Sequence, residues 1–373
     1  MAIVNKHISR ITVTLMLTHQ CNLNCIYCYE KNKSSNKVMA IDVMKHIVAS
    51  SFEKYKNNFS EIVFDFMGGE PLLEFDLIKE LSEWTWNQKW DMPYLFYATT
   101  NGTLLDTYTK NWFAKYKDRF VLGLSYDGNP QMQDTNRTKS SSFVDLNFFK
   151  DTWPFQSLKM TVSPETISSL AEGIIYLHRQ GINEIFANLA FGVKWEQKHL
   201  VEYNGQLRQL VEFYTENRYT KRVSLLNMNL PALFYPHNNR KYCGAGVGMA
   251  FYDFDGKSYP CHLLSPVNLG QEELAQINSV DYCNADDFAP QECKSCVLFN
   301  LCPSCCGMNY LHMKSFQKRF PFMCRAIKIQ VAANMLLHYN ILKGKEMLTI
   351  QDREILESIN KLKRFKLLLQ CLI

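Results

Sequence analysis

The chain has 373 residues, 47% of them hydrophobic and 13% aromatic, which is enough to build the cores of about two domains and excludes a disordered chain. Its 41 basic and 36 acidic side chains leave a net charge of +5, which demands neither a nucleic-acid nor a membrane partner. Met1 to Arg10 lacks an apolar run and no uncharged apolar stretch reaches the ~18 residues of a membrane span, so a cytoplasmic protein is expected. Thirteen cysteines in such a chain read as metal or redox ligands, because cytosolic thiols stay reduced and an odd total does not suit a disulfide framework.

From Ile8, residues Ile11, Val13, Leu15 and Leu17 alternate with Thr12, Thr14 and Met16, which predicts a strand running into a cysteine loop. A helix over Ile41 to Lys56, a strand over Ile62 to Met67 and a helix over Phe75 to Trp90 follow. Next come a strand over Leu95 to Thr99, a helix over Leu105 to Lys117 and a strand over Phe120 to Ser125. The strand Leu158 to Val162 meets Ser163-Pro164-Glu165, an N-cap signal with proline at the first helical position; Ile167, Leu170, Ile174 and Leu177 mark one face of a helix that Gly181 ends. Strand Glu184 to Phe191 and a helix over Lys198 to Arg218 complete six β/α units, for which parallel strands with right-handed crossovers are the economical topology. The expected fold class is α/β: a partial (β/α)6 TIM-like barrel over 1–222, a linker over 223–242, a small cysteine-rich α+β domain over 243–330 and a helical segment over 331–373. Lys31 to Lys37 reads as a surface loop, and the basic end, Lys361 to Ile373, as a docked helix with a solvated face. Cys371, third from the end, is not a prenylation box.

Cys21-x3-Cys25-x2-Cys28 offers three thiolates, one short of a closed metal site. Soft thiolates select iron–sulfur clusters or zinc, and a [4Fe–4S] cluster normally takes four cysteines, so this spacing points to a cubane with one iron left open. Three buried structural cysteines are the bland alternative. In parallel β/α architectures the active site lies at the strand C-termini. There stand Met67-Gly68-Gly69-Glu70-Pro71, whose glycines let backbone groups approach a ligand and whose carboxylate suits an ammonium group. Thr99-Thr100-Asn101-Gly102 and Ser125-Tyr126-Asp127-Gly128 end the next two strands, and a hydroxyl with a carboxylate suits ribose. Arg137 can hold a carboxylate by a bidentate pair. Each of these dipeptides also serves as a plain turn, and Arg137 as a surface arginine.

The triplet with Tyr27 before its last cysteine, then Gly-Gly-Glu-Pro, Thr-Asn-Gly and Ser-x-Asp-Gly, resembles radical S-adenosylmethionine enzymes over roughly residues 8–220. The resemblance implies that Cys21, Cys25 and Cys28 hold a cluster whose open iron chelates S-adenosylmethionine. Gly68, Gly69 and Glu70 would lie near its amino group, Tyr27 by the adenine, Ser125 and Asp127 by the ribose and methionyl part, and Arg137 near the carboxylate; Asn101 belongs to the same cofactor-binding set.

Further on, Asp255-Gly256 between alternating runs signals a hairpin that positions Cys261. With Cys243 before it and Cys293-x2-Cys296-x5-Cys302-x3-Cys306 and Cys324 after it, this order resembles a SPASM domain carrying two auxiliary [4Fe–4S] clusters. The resemblance implies Cys243, Cys261 and Cys306 for one cluster and Cys293, Cys296, Cys302 and Cys324 for the other. An eighth ligand would be Cys283 or Cys305, or the place stays open. Zinc competes, with Cys293, Cys296, Cys302 and Cys305 as ligands, but zinc ribbons separate their pairs by about 15–20 residues and here the gap is five.

Enzymes of this type cleave S-adenosylmethionine to a 5′-deoxyadenosyl radical that abstracts hydrogen. The resemblance therefore implies modification of a ribosomally made peptide, with an oxidative cross-link (thioether, C–C or ether) as the expected product. A flavodoxin- or ferredoxin-like electron donor is implied as well. Only 20 residues precede Cys21, too few for a leader-binding winged helix, so a separate leader-binding protein or this chain's own surface would serve. Anaerobic sulfatase maturases are the alternative; their pattern has an aspartate base where His262 stands here, and histidine can also act as a base. A zinc- or cluster-stabilised scaffold without catalysis is the alternative of another class.

Overall fold

The computed structural model describes residues 10–30, 35–234 and 243–363. Part of the predicted loop at 31–37, part of the linker, and most of the basic end, with Cys371, lie outside the described residues. In chain order the elements are β1 (Arg10–Thr18), α1 (Ile41–Tyr55), β2 (Glu61–Gly68), α2 (Phe75–Trp86), β3 (Tyr94–Thr100), α3 (Thr107–Lys115), β4 (Phe120–Leu124), α4 (Pro130–Asn136) and α5 (Leu146–Thr152). Then come β5 (Leu158–Val162), α6 (Leu170–Arg179), β6 (Ile185–Leu189), α7 (Gln197–Glu216), β7 (Met249–Tyr252) and β8 (Ser258–Tyr259). The last helices are α8 (Gln271–Asn278), α9 (Gln291–Lys294), α10 (Cys306–Met313), α11 (Pro321–Leu342) and α12 (Ile350–Lys363).

Packing divides the chain into two compact units, each built from separate stretches: Met1–Ser125 with Phe143–Gln156 and Gly244–Cys283, and Tyr126–Ser142 with Ser157–Cys243 and Asn284–Ile373. The first unit carries a sheet of order β4-β3-β2-β1-β7-β8. Strands β1 to β4 pair parallel in sequence order, linked through α1, α2 and α3 as β/α units require. Because β1 is central, Thr14 and Met16 are buried along with Val13, Leu15 and Leu17; the alternating pattern gives way to the two-sided burial of a parallel strand. Phe66, Phe96 and Phe120 stack from successive strands, with ring centroids 5.5 to 6.0 Å apart, and each such pair contributes about 1 kcal/mol. The predicted hairpin is present: Gly256 takes φ +74° at its turn, and Asp253 Oδ1 accepts the N–H groups of Asp255 and Lys257. Its first strand, β7, pairs parallel with β1 from Thr12↔Met249 to Leu15↔Tyr252.

The second unit holds the parallel pair β5 and β6, in register from Leu158↔Ile185 to Val162↔Leu189, with α6 between them in sequence. Helix α6 starts at Leu170, not at Ser163, because Thr166 takes the Ser163 N–H into a local turn and a 3-10 turn over Ile167–Ser169 comes first. Among the described residues no strand pairs with the outer edge of β6, where the Ser224 hydroxyl accepts from Ala187 N–H at 2.9 Å and donates to Ala187 C=O at 3.1 Å. Leu230, Leu233, Leu298, Ile327, Val331, Met335, Ile359 and Leu362 form an apolar core against which Cys296 and Cys302 pack. Buried Asn334 satisfies that core's edge, accepting from Met228 N–H and donating to the carbonyls of Leu225 and Gln330.

Candidate functional site

In the first unit the triplet follows directly from β1, and Cys21, Cys25 and Cys28 are all partly exposed. None of the described cysteines is in a disulfide. The β1–β2 ladder continues into this loop, since Gly69 N–H donates to Thr18 C=O at 2.9 Å and Glu70 N–H to Gln20 C=O at 2.8 Å. A Cβ at Gly69 would stand 2.3 Å from the Gln20 oxygen and 2.5 Å from that of His19, so the close approach glycine permits here is to the chain's own backbone. Within the loop, Cys28 N–H bonds Cys25 C=O at 3.1 Å, and Leu23 N–H points at Cys21 Sγ at 3.4 Å. The loop's two ends are joined by His19 Nδ1 and Glu30 Oε2, 3.1 Å apart and both buried.

Glu70 is 1% exposed, and its carboxylate gathers three elements. Oε1 accepts from Leu72 N–H at 3.1 Å and Thr100 Oγ1 at 2.7 Å, and Oε2 from Asn101 N–H at 2.8 Å. Asn101 Nδ2 in turn donates to Asn22 Oδ1 at 2.9 Å, inside the cysteine loop. A polar chain thus runs from the third strand end through Glu70 and Asn101 to the triplet. Ser125 closes the row of strand ends, donating its N–H to Thr100 C=O at 2.9 Å. Tyr27 is half-buried on the loop. Thr100 and Asn22 escaped the sequence reading; Thr100 sits in a strand-end motif and was within reach, whereas nothing local marks Asn22.

The hairpin brings Cys261 and His262 into the same unit. The His262 ring lies 5.2 Å from that of Tyr29, a residue the motifs did not single out. Burial, and then the charges of Cys28, Glu30, Asp65 and Cys261, hold the Tyr29 phenol far above its ordinary range, so it is a neutral donor at any working pH.

In the second unit Asp127 and Arg137 face each other. Arg137 Nε and Nη2 donate to Asp127 Oδ2 and Oδ1 at 3.0 and 3.2 Å, and Thr161 N–H and Asn136 Nδ2 add to the same carboxylate. Asp127 is fully buried and Arg137 8% exposed, so either reaches a ligand only with what this pairing leaves over.

That unit also contains a cavity of about 900 Å³ lined by seven cysteines: Cys243, Cys293, Cys296, Cys302, Cys305, Cys306 and Cys324. They fall into two groups. Cys293, Cys296, Cys302 and Cys324 interact through their charges, and burial pushes the Cys302 thiol up to about 11 while Arg319 opposes the rise. Cys243 and Cys306 have their sulfurs 3.6 Å apart, and Cys305, raised by burial, feels Cys243. Cys283 is exposed and lies in the first unit. Among the described residues no three His, Cys, Asp or Glu side chains close on one point fit for a single metal ion.

A family profile described as a 4Fe-4S single cluster domain matches residues 10–143. An uncharacterized protein of Methanocaldococcus jannaschii is 29% identical over 52% of this chain and 70% of its own. The antilisterial bacteriocin subtilosin biosynthesis protein AlbA of Bacillus subtilis is 22% identical over 67% of this chain and 54% of its own length. Among solved structures, anSMEcpe with bound AdoMet superposes with a TM-score of 0.67 over 93% of this chain and 98% of its own, at 19% identity, a likeness of fold. It has also been solved with AdoMet and a peptide.

Proposed function

We propose that this chain, a radical S-adenosylmethionine enzyme with a SPASM-like cysteine-rich extension, installs an oxidative modification, a thioether, C–C or ether cross-link, in a ribosomally made peptide. The observation that carries the reading is the pairing of an open three-thiol loop with a second, roomy cavity lined by seven further thiols. The donor sets fit iron–sulfur clusters: soft, free of disulfides, and partly exposed on the first loop. When bound, the reduced cluster with S-adenosylmethionine supplies a 5′-deoxyadenosyl radical that removes hydrogen from an unreactive C–H bond.

In this reading Cys21, Cys25 and Cys28 hold the first cluster. Glu70 and Asn101 keep its loop in place, and Tyr27 on that loop, with Gly68, Gly69 and Ser125 at the strand ends, would take the methionine and adenosine parts. Asp127 with Arg137 fixes the start of the second unit and offers its remaining donors to the cofactor. Cys293, Cys296, Cys302 and Cys324 form one auxiliary set. Cys243 and Cys306 belong to the other, with Cys261 on the ground of the cysteine order alone. Cys305 is the better extra ligand than Cys283, since it lines the same cavity as Cys243 and Cys306. On this reading the chain is divided by its cysteine order, with a barrel over 1–222 and an auxiliary-cluster domain over 243–330. A flavodoxin- or ferredoxin-like donor and a separate leader-binding protein complete the system, which fits a reducing, cytoplasmic setting. AlbA's role in bacteriocin biosynthesis supports this choice. The second reading, sulfatase maturation, is favoured by the position of His262 beside Tyr29, where a base would have a neutral neighbour.

Anaerobic reconstitution should give about twelve irons per chain, falling to about eight when Cys21, Cys25 and Cys28 are all changed to Ala. About four irons plus zinc would overturn the auxiliary clusters. With dithionite and S-adenosylmethionine, a short peptide encoded beside the gene should lose two hydrogens as 5′-deoxyadenosine forms. An aldehyde formed at a Cys or Ser of a sulfatase peptide would move the assignment to the second reading.

A further inference from the structure

The cavity lined by Cys293, Cys296, Cys302 and Cys324 carries two guanidiniums, those of Arg222 and Arg319, and the second is anchored to the segments that precede these cysteines. Both of its terminal nitrogens donate to backbone carbonyls: Nη1 to Phe316 C=O at 2.9 Å and Gln317 C=O at 3.4 Å, and Nη2 to Phe288 C=O. Carbonyl dipoles fix a guanidinium in place without cancelling its charge, and among the described residues no carboxylate forms an ion pair with Arg319. A partly buried cation of this kind calls for an anion, and the four thiols line the same cavity.

We propose that Arg319 is a positioning cation for the cluster held by Cys293, Cys296, Cys302 and Cys324, and that it makes this cluster easier to reduce. The inference rests on the auxiliary-cluster reading above. A [4Fe–4S] core on four thiolates carries two negative charges when oxidised and three after taking one electron from a donor, so a fixed cation stabilises the reduced form more. Its anchors make the effect a property of the fold: the Phe288 carbonyl precedes the first two cysteines of the set, and those of Phe316 and Gln317 precede Cys324.

The test is a redox titration of the reconstituted full chain followed by electron paramagnetic resonance, with iron and sulfide counted in the same samples. Cys21, Cys25 and Cys28 are changed to Ala throughout to remove the first cluster's signal. Arg319→Gln, with iron unchanged, should lower the reduction equilibrium constant of one auxiliary cluster at least tenfold, which is 59 mV for a one-electron couple. Arg319→Lys, keeping the charge, should stay within about threefold of the parent. An unchanged potential in Arg319→Gln at full iron content overturns the inference and leaves the auxiliary cluster standing. An equal fall in Arg319→Lys, or a normal potential in a Lys variant when the Gln variant cannot hold iron, separates the two grounds: the first outcome refutes the charge argument and the second supports it. If changing Cys293, Cys296, Cys302 and Cys324 to Ala removes no iron, the auxiliary-cluster reading itself fails and the inference falls with it.

Discussion

The three thiols of the triplet stand in one short loop of the first unit and are held by polar atoms, whereas those lining the cavity of the second are gathered from Cys243 to Cys324 and rest on apolar packing. A short loop brings its ligands together at little entropic cost, so what it needs is orientation, and backbone pairing at Gly69 and Glu70 with the Glu70–Asn101–Asn22 chain supplies that. Ligands spread along a chain are brought together only when the surrounding core forms. Metal loading of the second unit should therefore follow its stability, and loading of the first should follow a few hydrogen bonds.

The largest expected effect lies at the ion pair of the second unit. Arg137→Met leaves the buried Asp127 carboxylate without its guanidinium and should cost about 4 kcal/mol, seen as an earlier urea midpoint. Unchanged stability with weakened S-adenosylmethionine binding would instead make Arg137 chiefly a cofactor ligand. Next, Leu298→Ala opens a cavity in the core beneath Cys296 and Cys302 and should cost about 3 kcal/mol, with auxiliary iron lost before that of the triplet. Smallest, Glu70→Gln removes one acceptor oxygen from three donors and should cost about 2 kcal/mol. Here the triplet's irons should fall while the second unit keeps its own, and equal loss from both units would erase the contrast.

Much of the fold was legible because its signals are local. Strand alternation placed β2 to β6 within a few residues, and the cysteine spacing marked the loop after β1 before any geometry was known. Helices α4 and α5 passed unnoticed, although Asn129 before Pro130 and Asp145 before Leu146 are ordinary caps; each helix is too short to show a period. The parallel pairing of β7 with β1 could not be read locally, since register between strands more than 200 residues apart is a tertiary choice. The same holds for the site. Asn101 and Glu70 stood out by their motifs, but that they bond to each other, and to Asn22, is a fact of packing across separations of 31 and 79 residues. Burial explains Tyr29: a phenol beside the last cysteine looks like any loop tyrosine until the hairpin carrying His262 is folded against it.

The single serine on the edge of β6 has a practical consequence for anyone handling the iron-free protein. An open strand edge recruits strands from other molecules, and on the proposed reading the chain exists for a time without its metal. By taking both the N–H and the C=O of Ala187, Ser224 fills the middle of that edge with a hydroxyl where a foreign strand would otherwise pair. Solubility before metal insertion would then hang on one side chain outside every cysteine motif of the sequence.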